Sequence, residues 1–480
     1  MVELTDIEVG VDYIELVYPR LFLECGDLEQ ARGVPSGYIT KGLGCKRMAV
    51  LDSYQSVITM GADALVRGMR NMDIGPDEIE GIWVATEGGP SRSKPLTTNI
   101  IGLAETIYGE GSFRHAAGPE VKAACAAGAW GMDYAENAIR ANQNRRKYFV
   151  VIRTDDPRYK IGDPAECTQG GGASAVFYSE DPSLIRHHSR VAGKAISDEY
   201  GWHFPIDTPY PISDGAYSVA GYLYLMRYAF DQWRKHVIEE EIIIPRKNEM
   251  VLDYVDDISK HTPYWKMVRD ETVFTIRHGL RNIASRWKKV VEQVSNFLQQ
   301  TNFLEPIHEW KGKLEEISHD KKLWDQDSMF RRAFQKTKEF TDFFLQKVEP
   351  GTVIPSVMGN SYNNSITLNQ VSVFEVNRDK NVDLTDHLIG EGYFGSGDVA
   401  FVTSGNIQPG YHKIIREWDH LEKIRSVKEG GIRVPLNIEN YEKLHLYQVP
   451  YWDPILEPEN EFAVVSYDDL KNRPQYKFFD

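Results

Sequence analysis

Apolar and polar positions along the first 180 residues alternate between two periods. Val11 to Leu16 reads as a strand, and Val57 to Leu65 as a helix. Ile82-Trp83-Val84-Ala85, bounded by Gly81 and Gly88, reads as a short buried strand. A helix is predicted through Tyr134 to Ile139, then continuous apolar strands at Tyr148–Ile152 and Ala173–Phe177. Strands apolar on both faces and separated by helices belong to an α/β sheet covered on both sides.

From about 181 to 250 the pattern is loop-rich, with Pro205, Pro209 and Pro211, followed by a helix through Tyr222 to Trp233. After His261 the spacing changes. Val273, Ile276, Leu280, Ile283, Trp287, Val290, Val294 and Phe297 recur every three or four residues, which predicts one amphipathic helix of about seven turns. A second helix is predicted from Phe330 to Phe344. Strand and helix alternate again from Val353 to about Val402. One charged helix (Tyr411 to Ile424) follows, and the aromatic, Pro-containing tail has no assignable pattern. No short repeat or low-complexity tract is present, which argues against solenoids and disordered arrays.

Composition narrows the function classes. Over 480 residues, 42% are hydrophobic and 26% charged, the balance of a globular protein, long enough for two or three domains or one duplicated unit. A formal charge of −15 argues against a broad nucleic-acid or anionic-membrane surface. No apolar run approaches the roughly 20 residues of a transmembrane helix. Glu3, Asp6 and Glu8 stand where a secretory leader carries basic residues, so no export is expected and a cytoplasmic location is. Cys25, Cys45, Cys125 and Cys167 have no CxxC spacing, so neither a zinc ribbon nor a disulfide framework is indicated.

Cys125 differs from the other three. It lies in Val121-Lys122-Ala123-Ala124-Cys125-Ala126-Ala127-Gly128, small residues leading into a helix. Small neighbours let a thioester approach the sulfur, and a helix start favours the thiolate and lowers its pKa. The same residues also suit a helix packed tightly on a sheet. Glu87 ends an apolar strand just before Gly88-Gly89, where a carboxylate of raised pKa can act as a base. His261, in Lys260-His261-Thr262-Pro263-Tyr264, is expected on a strand-to-helix turn, able to donate to a carbonyl oxygen. In Gly359-Asn360-Ser361-Tyr362 the Asn360 amide suits an oxyanion. Gly392-Tyr393-Phe394-Gly395-Ser396-Gly397 is a turn rich in free N–H groups. No nucleotide-binding glycine motif lies after a strand.

In order, these segments resemble the hydroxymethylglutaryl-CoA (HMG-CoA) synthase family of the thiolase superfamily. The resemblance is carried by Gly42-Leu43-Gly44 with Arg47-Met48-Ala49, Thr86-Glu87 with Ser93-Lys94-Pro95, Ala124-Cys125, Gly170 to Ala173, Asp214-Gly215 with Ser218 and Tyr222, His261 to Tyr264, Gly359-Asn360 and Tyr393 to Gly397. It covers about residues 1–265 and 324–404.

The resemblance implies a five-layered αβαβα thiolase-like fold of two pseudo-duplicated halves. These are 1–185, carrying Glu87 and Cys125, and 186–480, carrying His261 and Asn360, with a helical insertion at about 268–345. It implies that Cys125 takes an acetyl group, that Glu87 removes a methyl proton, and that His261 orients an acetoacetyl thioester. Asn360, Gly395, Ser396, Tyr264 and Gly172 are then expected to bind substrate or stabilise oxyanions. No metal or organic cofactor is implied; acetyl-CoA and acetoacetyl-CoA are the substrates, in the mevalonate pathway, and the unit is a homodimer.

Two alternatives stand beside this reading. One is a polyketide branching enzyme acting on acyl carrier protein, which would dock on a basic run such as Arg140, Arg145, Arg146 and Lys147, or Arg277, Arg281, Arg286, Lys288 and Lys289. These runs also read as solvated helix faces. The other is a scaffold subunit without catalysis. It is disfavoured because Cys125, Glu87, His261 and Asn360 occur together.

Overall fold

The computed structural model describes residues 7–116, 118–141, 145–299, 312–426, 432–447, 453–468 and 473–480. The N-terminal half runs through strand β1 (Val9–Val17), helix α1 (Val57–Asn71), β2 (Ile79–Ala85), α2 (Leu96–Tyr108), the short β3 (Glu120–Val121), α3 (Ala127–Arg140), β4 (Tyr148–Asp155) and β5 (Gly172–Glu180). After β6 (Ile185–His187) come β7 (Gly193–Ile196), α4 (Gly215–Glu239), β8 (Asp257–Lys260), α5 (Trp265–Arg281), α6 (Ala284–Leu298), α7 (Lys321–Phe334), α8 (Ser365–Asp379), β9 (Leu388–Gly395) and β10 (Val399–Ile407).

The second half repeats the first. In one, β1 is antiparallel to β5, β5 antiparallel to β4, and β4 parallel to β2. In the other, β7 is antiparallel to β10, β10 antiparallel to β9, and β9 parallel to β8. Strand β6 pairs with both β1 and β10, so the halves share one ten-stranded sheet. Three cores separate five layers. Helices α1 and α2 cover the outer face of the first sheet half, and α3 and α8 lie between the halves. Helices α4 and α5 with the insertion cover the second. The thiolase-like architecture expected from the sequence is therefore present.

Local sequence accounts for the key elements. All eight positions of β4 are buried, which is why Tyr148–Ile152 is an unbroken apolar run rather than an alternation; the polar Arg153, Thr154 and Asp155 close the strand. Helix α1 begins at a capping box in which Ser56 and Thr59 satisfy each other's backbone N–H groups. Helix α4 begins where the Asp214 carboxylate accepts from the Tyr217 N–H at 3.0 Å, seven residues before the apolar run that announced it. Helix α8 is buried through Asn377 despite its Asn, Gln, Ser and Thr content. Several of its polar groups have partners: Asn369 Oδ1 accepts from Ser259 at 2.9 Å and Ser372 donates to the Pro350 carbonyl at 2.6 Å.

Three expectations are corrected. The single seven-turn helix is two, α5 and α6, parted at Asn282–Ile283, where Ile283 takes φ −120° and ψ 85°. Ile283 is itself buried, so the apolar spacing continues across the break and hides it. The helix placed at 330–344 is the end of α7, then a separate helix Lys338–Phe343 running into a π turn. The charged helix after 410 is also two, Tyr411–Arg416 and His420–Arg425. Arg378 occupies the gap, donating to the carbonyls of Ile415 (2.9 Å) and Trp418 (2.6 Å). The unassigned tail ends in a hairpin, β11 (Glu461–Asp468) with β12 (Arg473–Phe479), laid against α1. Among the described residues no helix is long and apolar enough to cross a membrane.

Candidate active site

The repeat sets the site. Glu87 follows β2 and His261 follows β8, the equivalent strand of the other half. Cys125 precedes α3, and Asn360 precedes α8. Each half thus delivers one group beyond a strand end and one before a central helix. Cys125, His261 and Asn360 line a cavity of about 400 Å³ together with Tyr159, Tyr264 and Ser396.

The nucleophile turn is tightly built. Ala124 adopts φ +47°, and the Ala126 N–H closes on the Ala123 carbonyl at 3.1 Å. Gly395, the last residue of β9, abuts this turn: a Cβ there would lie 2.4 Å from the Ala123 carbonyl oxygen and 2.9 Å from the Ala126 nitrogen. Only glycine allows that approach. Gly359 does the same for Asn360. It has φ +79° and no room for a Cβ against the Gln169 carbonyl, 2.2 Å away.

The Cys125 thiol donates to Glu87 Oε1 at 2.6 Å. Behind Glu87, Asp155 at the end of β4 accepts from the Glu87 N–H (2.7 Å), the Thr86 hydroxyl (3.0 Å), and both the backbone and side-chain N–H of Asn363 (3.0 and 3.1 Å). Asn363 in turn accepts from the Gly128 N–H at 3.1 Å, so one chain of bonds joins the base, the nucleophile's helix and the second half.

Burial dominates the ionisation of all three acids. It pushes Glu87 well above the usual carboxylate range, and the nearby Asp155 adds to this. Asp155 rises to about 7, its hydrogen bonds moderating the effect of burial. Burial, then Glu87, raises the Cys125 thiol well above its usual range. This corrects the expectation that the helix start lowers it: the sulfur lies two residues before α3, beside carboxylates and 7% exposed, and these outweigh the dipole. The thiol is held protonated at rest, hydrogen-bonded to Glu87.

His261 is held by its backbone, which donates to the Gly392 carbonyl (2.8 Å) and accepts from the Tyr222 hydroxyl (2.9 Å). Burial lowers its pKa to about 3, so the ring is neutral, and its buried Nδ1 has no partner. Asn360 Oδ1 accepts from the Tyr362 N–H (3.0 Å) and the Ser365 hydroxyl (2.8 Å), which turns the amide so that Nδ2 is its free end.

Gly172 is not part of the cavity. It sits at the start of β5 against Asn364 and the Val17 carbonyl, a structural position rather than a substrate contact. Four residues were missed by sequence reasoning. Asp155 carried the same signal as Glu87, a carboxylate ending an apolar strand. Tyr159, Trp202 and Tyr362 form an aromatic wall around the sulfur, with Trp202 Nε1 donating to the Tyr159 hydroxyl at 3.0 Å. Nothing in local spacing brings these three together.

The basic runs are partly engaged within the fold. Arg140 pairs with Glu136 (3.1 Å), Glu80 accepts from the backbone N–H groups of Arg145 and Arg146, Arg277 is buried against Asp327 (3.0 Å), and Arg286 is clamped between Asp253 and Glu339. Arg140, Arg277 and Arg286 are thus engaged within the fold, whereas Arg145, Lys147, Lys288 and Lys289 are exposed, as the solvated-face reading has them. Among the described residues no group of three or more His, Cys, Asp or Glu side chains is placed to hold a metal ion.

Residues 5–182 match the family described as hydroxymethylglutaryl-coenzyme A synthase N terminal, and 188–429 the corresponding C-terminal family. The hydroxymethylglutaryl-CoA synthase of Haloferax volcanii is 30% identical over 484 residues, covering 98% of this chain and 99% of its own. That of Enterococcus faecalis is 22% identical, covering 91% of each chain. Among solved structures, MvaS in complex with 3-hydroxy-3-methylglutaryl coenzyme A superimposes with a TM-score of 0.80 at 23% identity, covering 99% of this chain and 100% of that one. The curacin biosynthetic pathway HMG synthase with acetyl donor-ACP gives 0.72 at 19% identity, covering 98% and 100%. The two matched families span nearly the whole chain on either side of β6, the strand that joins the two repeated halves, and on that ground the chain belongs to the hydroxymethylglutaryl-CoA synthase family of condensing acyltransferases.

Proposed function

We propose that the chain condenses acetyl-CoA with acetoacetyl-CoA to give 3-hydroxy-3-methylglutaryl-CoA through an acetyl-Cys125 intermediate. The observation that carries this is the 2.6 Å contact between the Cys125 thiol and Glu87 beside a cavity lined by His261 and Asn360. Glu87 takes the thiol proton, the sulfur displaces CoA from acetyl-CoA, and Glu87 passes that proton to the departing CoA thiolate, which leaves Glu87 ionised. The carboxylate then removes a proton from the acetyl methyl. So weak a carbon acid requires a placed base and an oxyanion site together. The Asn360 amide and the N–H groups at Ser396 stand near the acyl carbonyl for that purpose. The neutral His261 ring donates to the acetoacetyl oxygen. The enolate attacks the ketone, the alkoxide regains the proton held by Glu87, and water cleaves the remaining enzyme thioester. Tyr264 lines the acyl path.

No organic cofactor or metal is assigned a step. The division at 185/186, a homodimer, a cytoplasmic location and a place in the mevalonate pathway belong to the same proposal. For the dimer, the support is that among the described residues β3 ends the sheet with β2 as its one neighbour.

In support of CoA over acyl carrier protein, Arg140, Arg277 and Arg286 of the candidate docking runs are paired within the fold, while the exposed Arg145, Lys147, Lys288 and Lys289 leave the carrier arm to be tested. The test is product analysis with acetoacetyl-CoA and with acetoacetyl-carrier protein as acceptors. Hydroxymethylglutaryl product from the CoA arm supports the reading. Product from the carrier arm alone would transfer the enzyme to the branching class, and no product from either would remove the proposal.

A further inference from the structure

Glu87 has a second side. Besides its bond to the Cys125 sulfur, it lines a separate cavity of about 860 Å³, together with Asp155 and Tyr362. Tyr362 lines both cavities, whereas Cys125, His261 and Asn360 belong only to the smaller one. Glu87 and Tyr362 therefore form a partition with the reacting sulfur on one side and an open basin on the other. The far rim of the basin is made by the C-terminal hairpin and the end of helix Ile438–His445, through Ser466 and Leu446.

The reaction gives this arrangement a use. Acetylation and condensation each bring their reagent through the cavity that holds Cys125. After condensation the product is tethered at both ends: one acyl group is on Cys125, and the other still carries its CoA arm along the path by which it entered. Hydrolysis is the step that needs water while that path is filled.

We infer that the basin behind Glu87 and Tyr362 is the water and proton port for hydrolysis of the condensed acyl-enzyme, an inference that rests on the function proposed above. Water entering there meets Glu87 first. The carboxylate takes one proton from the water, the oxygen bonds to the thioester carbonyl carbon, and the carbon–sulfur bond breaks. The sulfur leaves as thiolate and recovers the proton from Glu87, and the new carboxylic acid releases its own proton to the basin. One water is consumed, one free thiol and one carboxylate are formed, and no oxidant or reductant takes part.

The test narrows the port from its far rim, with Leu446→Trp and Ser466→Trp made singly and together. Three rates are read in single turnover: acetylation of Cys125, hydrolysis of the acetyl-enzyme with no second substrate, and hydrolysis of the condensed intermediate. Without a CoA arm in place, the acetyl-enzyme can also take water through the substrate path. The port predicts that the third rate falls by about tenfold or more while the first two stay within about twofold. Phe204→Ala, which widens the same basin, should raise the third rate. The inference is overturned if the condensed intermediate hydrolyses at the parent rate in folded variants, or if all three rates fall together as a structural defect would make them. Failure of the parent protein to acetylate Cys125 at all would instead overturn the proposed function.

Discussion

Cys125 has two neighbours that oppose its ionisation, the apolar wall of Tyr159, Trp202 and Tyr362 and the carboxylate of Glu87. The same carboxylate is the acceptor that makes ionisation possible. Replacing it separates these effects. In Glu87→Gln the thiol loses the repulsion of a negative charge, so its alkylation by a neutral reagent should set in at lower pH than in the parent. Condensation should fall by about 10²–10⁴-fold, the contribution of a positioned base. An unmoved alkylation profile would mean that Glu87 does not govern the sulfur. At this scale the gathering of Cys125, Glu87, His261 and Asn360 around one cavity was legible, because each sits at an element boundary marked by glycine, proline or small residues. The sign of the thiol's shift was not: it depends on how deeply the turn is buried and on Asp155, thirty positions away in sequence.

Among the elements, β9 and the turn before α3 meet most closely. Gly395 has the Ala123 carbonyl where its Cβ would be. Gly395→Ala must push the nucleophile turn away from β9 or move the end of the strand. Either displaces the sulfur from Glu87 and the acyl carbonyl from its N–H donors. A loss of about 10²-fold in turnover is expected, since such a displacement is of the order of an ångström, with little change in thermal midpoint. Steady-state kinetics beside a melting curve checks this, and parent-like turnover would contradict the geometry. Elements were legible where burial is simple, as in β4. They were misjudged where apolar spacing runs through a break, as at Ile283, or where a helix such as α8 is buried on all sides and shows no stripe. The hairpin β11–β12 was not legible because its partners lie some 400 positions away, for example Asp63 accepting from the Phe462 N–H.

Across the whole molecule the two halves meet on a buried ionic junction. His187 of β6 lies between Glu136 of α3, which its Nδ1 contacts, and Glu391 of β9 at 3.4 Å. Burial disfavours the charged ring, but the two carboxylates outweigh it and raise its pKa to about 10. A pKa raised from 6.5 means the stabilisation is fully present below about pH 6.5 and is lost as pH rises through about 10. His187→Gln leaves the buried Glu391 without its cation, while Glu136 keeps Arg140, and should destabilise the fold by about 3–5 kcal/mol at pH 7. The difference from the parent should narrow as the pH approaches 10. Denaturation at both pH values tests this, and a pH-independent difference would show that the ring is neutral in the fold. The alternation of strands and helices made the α/β class readable. The repeat was expected from the family resemblance but not readable in the residue pattern, because equivalent positions carry different chemistry: Glu87 against His261, Cys125 against Asn360.

That division of labour between two equivalent frames is the centre of the account, and acetyl transfer to one sulfur tests it most directly. Incubation with acetyl-CoA alone, followed by peptide mapping, should place a single acetyl group on Cys125 in the parent and none on the corresponding peptide of Cys125→Ala. An unmodified Cys125, or an acetyl group carried equally by the Cys125→Ala protein, would contradict it.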